Sequence, residues 1–170
     1  MPQTTDFRKA PFDVPRVETA GKYVGRTAYW KLYAIENFFR VFIHSVLSAQ
    51  IGPHWWTRAV DTRIQGNAQR FRQQYLRQPW YTSPGAHDIY YSFLSELNEI
   101  IRANSNLFLP LVPDIDLWIA RIEQIRLPRN IVGHMNYPNQ ADRKRIDVLH
   151  SDTRELLAHL KTNGLSLLIP

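Results

Sequence analysis

The sequence predicts an all-α protein, a bundle of about five helices with short connections. Apolar residues recur at steps of three and four along several long segments, as they do on the buried face of a helix. No segment shows the strict alternation of a strand, and no repeat of 20 to 50 residues is present. The 170 residues, 44% of them hydrophobic, suffice for one sizeable core and exclude a disordered chain.

The beginning of the chain differs from the rest. Residues 1–26 contain Pro2, Pro11 and Pro15 and show no sustained period. We expect them to form an arm that is poorly structured or draped over the body. Residues 27–170 are expected to form the helical domain.

Turn residues set the ends of the expected helices. The five helices cover about residues 27–50, 54–77, 87–104, 114–127 and 139–163. Gly52 and Pro53 end the first, and Gly164 ends the last. Pro128 is expected to interrupt the fourth.

Several classes of site are excluded by what the sequence lacks. Without cysteine there is no disulfide, thiol nucleophile or Cys-ligated metal. None of the six histidines is paired at a four-residue spacing, and no glycine-rich phosphate loop is present. We therefore expect neither a metal nor a cofactor. Because no apolar run approaches 18 residues and no signal peptide is recognisable, we expect a cytoplasmic protein without membrane contact.

The positive charge is concentrated in one stretch. The chain carries +6, and 16 of its 21 basic residues are arginine, which suits bidentate contact with phosphate. Residues 40–87 hold six arginines and one acid, a local charge of +5, whereas residues 88–170 are nearly neutral. This distribution favours a polyanionic partner such as RNA, although a solvated helix face is the alternative. The candidate RNA-binding residues are Arg58, Arg63, Arg70, Arg72, Arg77 and Arg126.

One short segment combines three side chains suited to phosphate chemistry: Arg129, Asn130 and His134. Asn130 and His134 are four apart and share a helix face, whereas Arg129 and His134 are separated by about 140° on a regular helix. Because Pro128 and Gly133 disfavour a regular helix, we expect the backbone to splay and Arg129 and His134 to converge on one ligand.

The chemistry of these groups fits RNA cleavage. His134 can transfer a proton, Arg129 can stabilise a charged phosphate, and Asn130 can orient His134 or bind the phosphate. The alternative for His134 is a capping role at the end of a helix. Glu36 is a further catalytic candidate. It lies in an apolar helix and is expected to pair with Arg129 or Arg126, or else to form a surface salt bridge.

An arginine and a histidine at this spacing, with Asn130 after the arginine, resemble the R-x4-H signature of the HEPN superfamily of nucleotide-binding helical domains. The segments that fit the family pattern in order are 32–40, 52–56, 100–108 and the isoleucine-rich helix before Arg129. The resemblance covers about residues 27–160. Pro128, directly before the arginine, departs from the pattern.

The resemblance implies a metal-independent endoribonuclease, a toxin or antiphage defence effector. In this family two copies of the motif meet in a homodimer and cleave RNA through its 2′-hydroxyl at a composite site. Tyr137 extends the motif to R-x4-H-x-x-Y, which is similar to toxins whose nucleotidyltransferase antitoxin adenylylates the tyrosine. The alternative is a turn tyrosine packed before Pro138.

Two other functions are compatible with the sequence. A catalytically silent HEPN module would bind RNA, a nucleotide or a partner protein. A DNA-binding regulator would use the basic second helix, but a compact helix-turn-helix pattern is lacking. We assign the large aromatic residues of the expected helices to the core or a dimer interface, namely Trp55, Trp56, Trp118 and the Phe38-Phe39 pair.

Overall fold

A computed structural model describes residues 5–170, and over this range the protein is all-helical, without a strand. The predicted fold class is confirmed. The α-helices are α1 (Val14–Val24), α2 (Trp30–Ile51), α3 (Trp55–Ala59), α4 (Thr62–Leu76), α5 (Leu94–Ala103), α6 (Ser105–Phe108), α7 (Ile115–Gln124), α8 (Arg126–Gly133) and α9 (Gln140–Thr162). Two of them are single turns, so seven longer helices replace the expected five. Short 3-10 helices cover Phe7–Lys9 and Asp88–Tyr91.

The N-terminal arm is more ordered than expected. From Val14 it forms α1, which continues through a π-helical turn, Gly25–Tyr29, into α2 without interruption. Of the two alternatives for the arm, poorly structured or draped over the body, the first is therefore wrong from Val14 on, while residues 1–4 lie outside the described range. Pro15 is compatible with α1 because it lies in the first turn, where a backbone N–H has no helical acceptor.

Helix α2 is the centre of the bundle. It packs against α9, α5, α3 and α6. Its buried side chains include Ile35, Phe39, Ile43 and Leu47. It ends at Gly52 as predicted, because the backbone there has φ of 94°, which only glycine adopts without strain.

The predicted second helix is two helices. Val60 and Asp61 separate α3 from α4, and the Asp61 carboxylate caps α4 by accepting a hydrogen bond from the Arg63 N–H at 2.8 Å. The buried Val60 has an extended backbone, which turns the chain between them. Gly66 does not interrupt α4.

The break expected at Pro128 lies instead at Ile125, between α7 and α8. Pro128 is the third residue of α8, where its missing N–H costs nothing because the first helical bond runs from the Arg129 N–H to the Ile125 carbonyl at 2.8 Å. Helix α8 then continues regularly through Gly133, with His134 as its C-cap. The expected splaying of the backbone is therefore wrong.

The last helix and the aromatic core follow the sequence prediction. Asn139 caps α9 together with Asp142, and Gly164 follows its end with a positive φ. Of the aromatic side chains assigned to the core from the sequence, Phe39, Trp55, Trp56 and Trp118 are buried there, whereas Phe38 is half-buried. Within the described residues, no helix is both long and apolar enough to cross a membrane.

Candidate functional site

A cavity of about 410 Å³ opens between α2 and α8. The π-helical turn and the segment around the 3-10 helix Asp88–Tyr91 complete its wall. The side chains that line it are Tyr29, Leu32, Tyr33, Glu36, Asn37, Arg40, Pro84, Tyr90, Arg129, Val132 and Gly133. We call it the charged cavity, because one carboxylate and two guanidinium groups lie together in its wall.

Glu36 is the centre of this cluster. Its Oε1 accepts a hydrogen bond from Arg129 Nε at 2.7 Å, and its Oε2 accepts one from Arg40 Nη2 at 3.2 Å. The side chains of Glu36 and Arg40 are only 13% and 12% exposed, and that of Arg129 is 26% exposed. The predicted pairing of Glu36 with Arg129 is confirmed, whereas Arg126 pairs with Glu123 instead.

Arg40 is held from several sides. Besides Glu36, its guanidinium donates to the Asn37 side chain at 3.2 Å and to the Ser92 carbonyl at 3.1 Å, while its buried Nε has no hydrogen-bond partner within the described residues. Burial lowers the pKa of Arg40, and the charge of Glu36 partly offsets that effect. Arg40 is not among the site residues predicted from the sequence. Its position four residues after Glu36, on the same helix face, is the signal that could have found it.

The guanidinium of Arg129 is held in one orientation, but some of its hydrogen-bond donors have no acceptor within the described residues. Its guanidinium lies 5.8 Å from the centroid of the Phe93 ring, and Glu36 fixes its Nε. A Cβ atom on Gly133 would come within 3.3 Å of Arg129 Nη1, so the glycine leaves room for the guanidinium beside the last turn of α8. Neither Nη group of Arg129 has a hydrogen-bond acceptor among residues 5–170. With two guanidinium groups and one carboxylate, the cavity keeps an excess positive charge that suits an anion.

His134 and Asn130 are placed apart from this cluster. His134 is exposed at the end of α8, its N–H bonded to the Asn130 carbonyl at 2.9 Å, and neither side chain lines the charged cavity. Because α8 is regular, Arg129 and His134 lie about 140° apart around its axis. One chain therefore presents the arginine in the cavity and the histidine at the adjacent surface.

Tyr137 is packed against the N-terminal part of the chain. Its ring stacks on Tyr23 with centroids 5.9 Å apart, and Arg143 lies over both rings. Its hydroxyl is hydrogen-bonded to Thr5, and its carbonyl accepts a hydrogen bond from Arg8 at 3.4 Å. The alternative of a packed turn tyrosine is thus what the structure shows, and modification of Tyr137 stays a prediction.

The arginines predicted to bind RNA do not line the charged cavity. Three of them have carboxylate partners: Arg63 pairs with Glu99, Arg72 pairs with Asp88 at 2.7 Å, and Arg126 pairs with Glu123. Arg70 donates to the neutral side chain of Asn67. Within the part of the chain that the structure describes, Arg58 and Arg77 form no ion pair. The basic stretch is therefore partly neutralised.

The chain matches no protein-family model, and no curated protein or solved structure is significantly similar to it. The HEPN resemblance therefore stays a prediction carried by the residues of this sequence. Across residues 5–170, no group of three or more His, Cys, Asp or Glu is placed to hold a metal ion.

Proposed function

We propose that this protein is a metal-independent endoribonuclease of the HEPN type, and that Arg129 and His134 are its reacting groups. The observation that carries the proposal is the orientation and hydrogen bonding of the Arg129 guanidinium. A mostly buried carboxylate orients it in an open cavity, and its Nη groups have no acceptor within the described residues. His134 is exposed at the end of the same helix.

The reaction needs three groups. Cleavage through the 2′-hydroxyl requires a base for the hydroxyl proton, an acid for the leaving 5′-oxygen and a cation for the charged phosphorus centre. Arg129 serves as the cation, with Glu36 as the group that orients it. Histidine is the side chain best suited to proton transfer near neutral pH, which gives His134 the role of acid or base.

The second proton transfer is assigned to a second copy of the chain. One histidine does not readily serve as both acid and base, and a homodimer in which two α8 ends meet supplies two. Such an assembly is sterically open, because His134 and Met135 beside it are both exposed at the end of α8. A toxin or antiphage defence role, with a nucleotidyltransferase antitoxin or another defence partner, follows the resemblance and is part of this proposal.

A catalytically silent module that binds RNA, a nucleotide or a partner protein is the second candidate. It is favoured by the position of His134 outside the cavity that holds Arg129. Such a module would bind an anion in the charged cavity and leave it chemically unchanged.

An RNA cleavage assay in EDTA separates the two candidates. We expect the purified protein to cut single-stranded RNA and to leave a 2′,3′-cyclic phosphate. His134→Ala and Arg129→Lys should each abolish cutting while the helical circular dichroism signal is kept. His159→Ala is the matched control, because His159 is an exposed histidine near the C-terminal end of α9, and it should cut normally.

The proposal is contradicted by a strict requirement for Mg²⁺, by a 5′-phosphate product, or by full activity of His134→Ala. Light scattering tests the assembly, since the active species should have about twice the chain mass of 20.0 kDa. Activity of a species with the mass of a single chain would exclude the composite site.

A further inference from the structure

The C-terminal end of α4 and the turn after it form a second cationic surface, distant in sequence from α8. It consists of Arg70, Gln74, Arg77, Gln78, Trp80 and Tyr81, and we call it the aromatic platform. Trp80 is 75% exposed, more than any other tryptophan of the protein, and Tyr81 is also exposed. Burial of an aromatic ring stabilises a fold strongly, and the exposed indole of Trp80 does not contribute this stabilisation.

The backbone places these residues on one side. Arg70, Gln74 and Arg77 follow one another at steps of four and three, so they share a face of α4. After the helix, the Gln78 N–H bonds to the Tyr75 carbonyl and the Tyr81 N–H bonds to the Gln78 carbonyl, each at 3.0 Å. This turn folds Tyr81 back onto the helix end.

A small open cavity results from the turn. It has a volume of about 200 Å³ and is lined by Gln74, Tyr75, Gln78 and Tyr81. This volume is several times what a single water needs, and it suits one planar heterocycle. Two amide side chains and two phenol rings supply donors, acceptors and ring faces around it.

The only charged residues of the platform are the positively charged Arg70 and Arg77. No acidic residue occurs between Asp61 and Asp88. Arg77 has no carboxylate partner in the described range, and Arg70 contacts only the neutral Asn67 side chain. The ion pairs of α4 belong to Arg63 and Arg72, which lie outside the platform.

We propose that the aromatic platform binds single-stranded nucleic acid. Exposed rings beside unpaired arginines match what a single strand offers, namely base faces for stacking and phosphates for charge contacts. Bases stack on Trp80 and Tyr81, Arg70 and Arg77 contact the backbone, and the amides of Gln74 and Gln78 contact base edges. A duplex hides its base faces and gains little from the rings. The proposal rests on the proposed function only in naming the strand as RNA.

The test is tryptophan fluorescence during titration with a short single-stranded oligouridylate, using His134→Ala protein so that the strand stays intact. We expect saturable quenching in the parent and an affinity about 5- to 100-fold weaker in Trp80→Ala, read by polarisation of a labelled strand. Trp30→Ala, which removes a half-exposed tryptophan on α2, should bind normally.

Salt dependence tests the arginines. Each phosphate contact contributes about 0.7 to the log–log slope for a single strand, so Arg70→Gln with Arg77→Gln should flatten the slope by about 1.4. Arg145→Gln, which removes an exposed arginine of α9 that is paired with Asp142, should leave the slope unchanged.

The platform is overturned if Trp80→Ala binds the strand as the parent does, if a matched RNA duplex binds equally well, or if polyglutamate binds with the same dependence on Trp80. The last result would identify an acidic protein as the occupant. Failure of the two proposals is distinguishable. Binding that depends on Trp80 without any cutting by the wild-type protein contradicts the ribonuclease, and cutting without such binding contradicts the platform.

Discussion

The charged cavity and the aromatic platform both use arginine, but they place it in opposite environments. In the cavity, Arg40 and Arg129 share the carboxylate of Glu36 and are largely removed from water. On the platform, Arg70 and Arg77 are exposed and have no carboxylate partner within residues 5–170.

This difference determines what each region can do. A guanidinium removed from water must be paired, and pairing fixes its position, which suits a group that has to meet one atom of a ligand. An exposed guanidinium is screened by salt and mobile, which suits many weak contacts along a flexible strand. We therefore expect single substitutions in the cavity to lower the free energy of unfolding strongly, and substitutions of the surface arginines to change it little.

The largest effect is expected from Glu36→Gln. This change leaves two guanidinium groups in the cavity without their counter-charge, so we expect a loss of about 2–3 kcal/mol in the free energy of unfolding, below the loss for a fully buried pair. Urea unfolding measures it. Glu99→Gln is the control, because Glu99 pairs with Arg63 at the surface, and it should cost less than about 1 kcal/mol. Equal losses in the two variants would contradict the comparison.

An effect of intermediate size is expected when the pH is lowered, at the 3-10 helix Asp88–Tyr91, which packs against α4. Asp88 of the 3-10 helix pairs with Arg72 of α4, while Tyr90 lines the cavity. His87 caps this helix by accepting the Ile89 N–H at 3.1 Å, and its ring lies 5.0 Å from that of His44. Burial lowers the pKa of both histidines, and the charge of His44 lowers that of His87 further.

The lowered pKa values determine how the stability of the fold changes with pH. Because the folded state holds both histidines neutral, their contribution to stability is complete above the ordinary histidine pKa of about 6.5 and is lost as the pH falls through the lowered values. We expect the melting temperature to fall between pH 6.5 and 5. His87→Asn keeps a capping oxygen without the titratable ring, so its melting temperature should depend less on pH in this window. A profile as steep as that of the wild type would exclude His87 as a source.

The smallest effect is expected from Arg72→Gln. The ion pair with Asp88 is about one-third exposed on both sides, so its loss should cost less than about 1 kcal/mol, and the difference should shrink in high salt. Chemical unfolding at low and high salt measures it. A loss above about 2 kcal/mol that salt does not reduce would show that the surface arginines are not tolerant.

Local signals in the sequence were sufficient for the fold class and for several helix ends. Gly52, Asn139 and Gly164 act within one turn of the chain, so their effect is readable without knowing the packing. Pro128 was misread because the cost of proline depends on its position in the helix. In the first turn of α8 that cost is absent, and α7 ends before it, at the buried Ile125.

The site was predictable only in part. The acid in an apolar stripe indicated a partner for Glu36, and Arg129 is that partner. The placement of Tyr90 beside them depends on a loop whose course no periodicity describes. The separation of His134 from the cavity is what a regular helix gives, and it was mispredicted because Pro128 was expected to break that helix.

The π-helical turn Gly25–Tyr29 joins α1 and α2 into one continuous helical run. Residues 14–51 form an unbroken helical run of about 57 Å at 1.5 Å per residue, and the turn encloses one more residue than an α-turn does. Five residues of a π-turn advance about as far around the helix axis as four residues of an α-helix do. If one residue of the turn were deleted, the remaining four could therefore continue as a regular α-helix, and Ala20 would keep its buried position. The turn thus accommodates one surplus residue without changing how the N-terminal helix is aligned with the body.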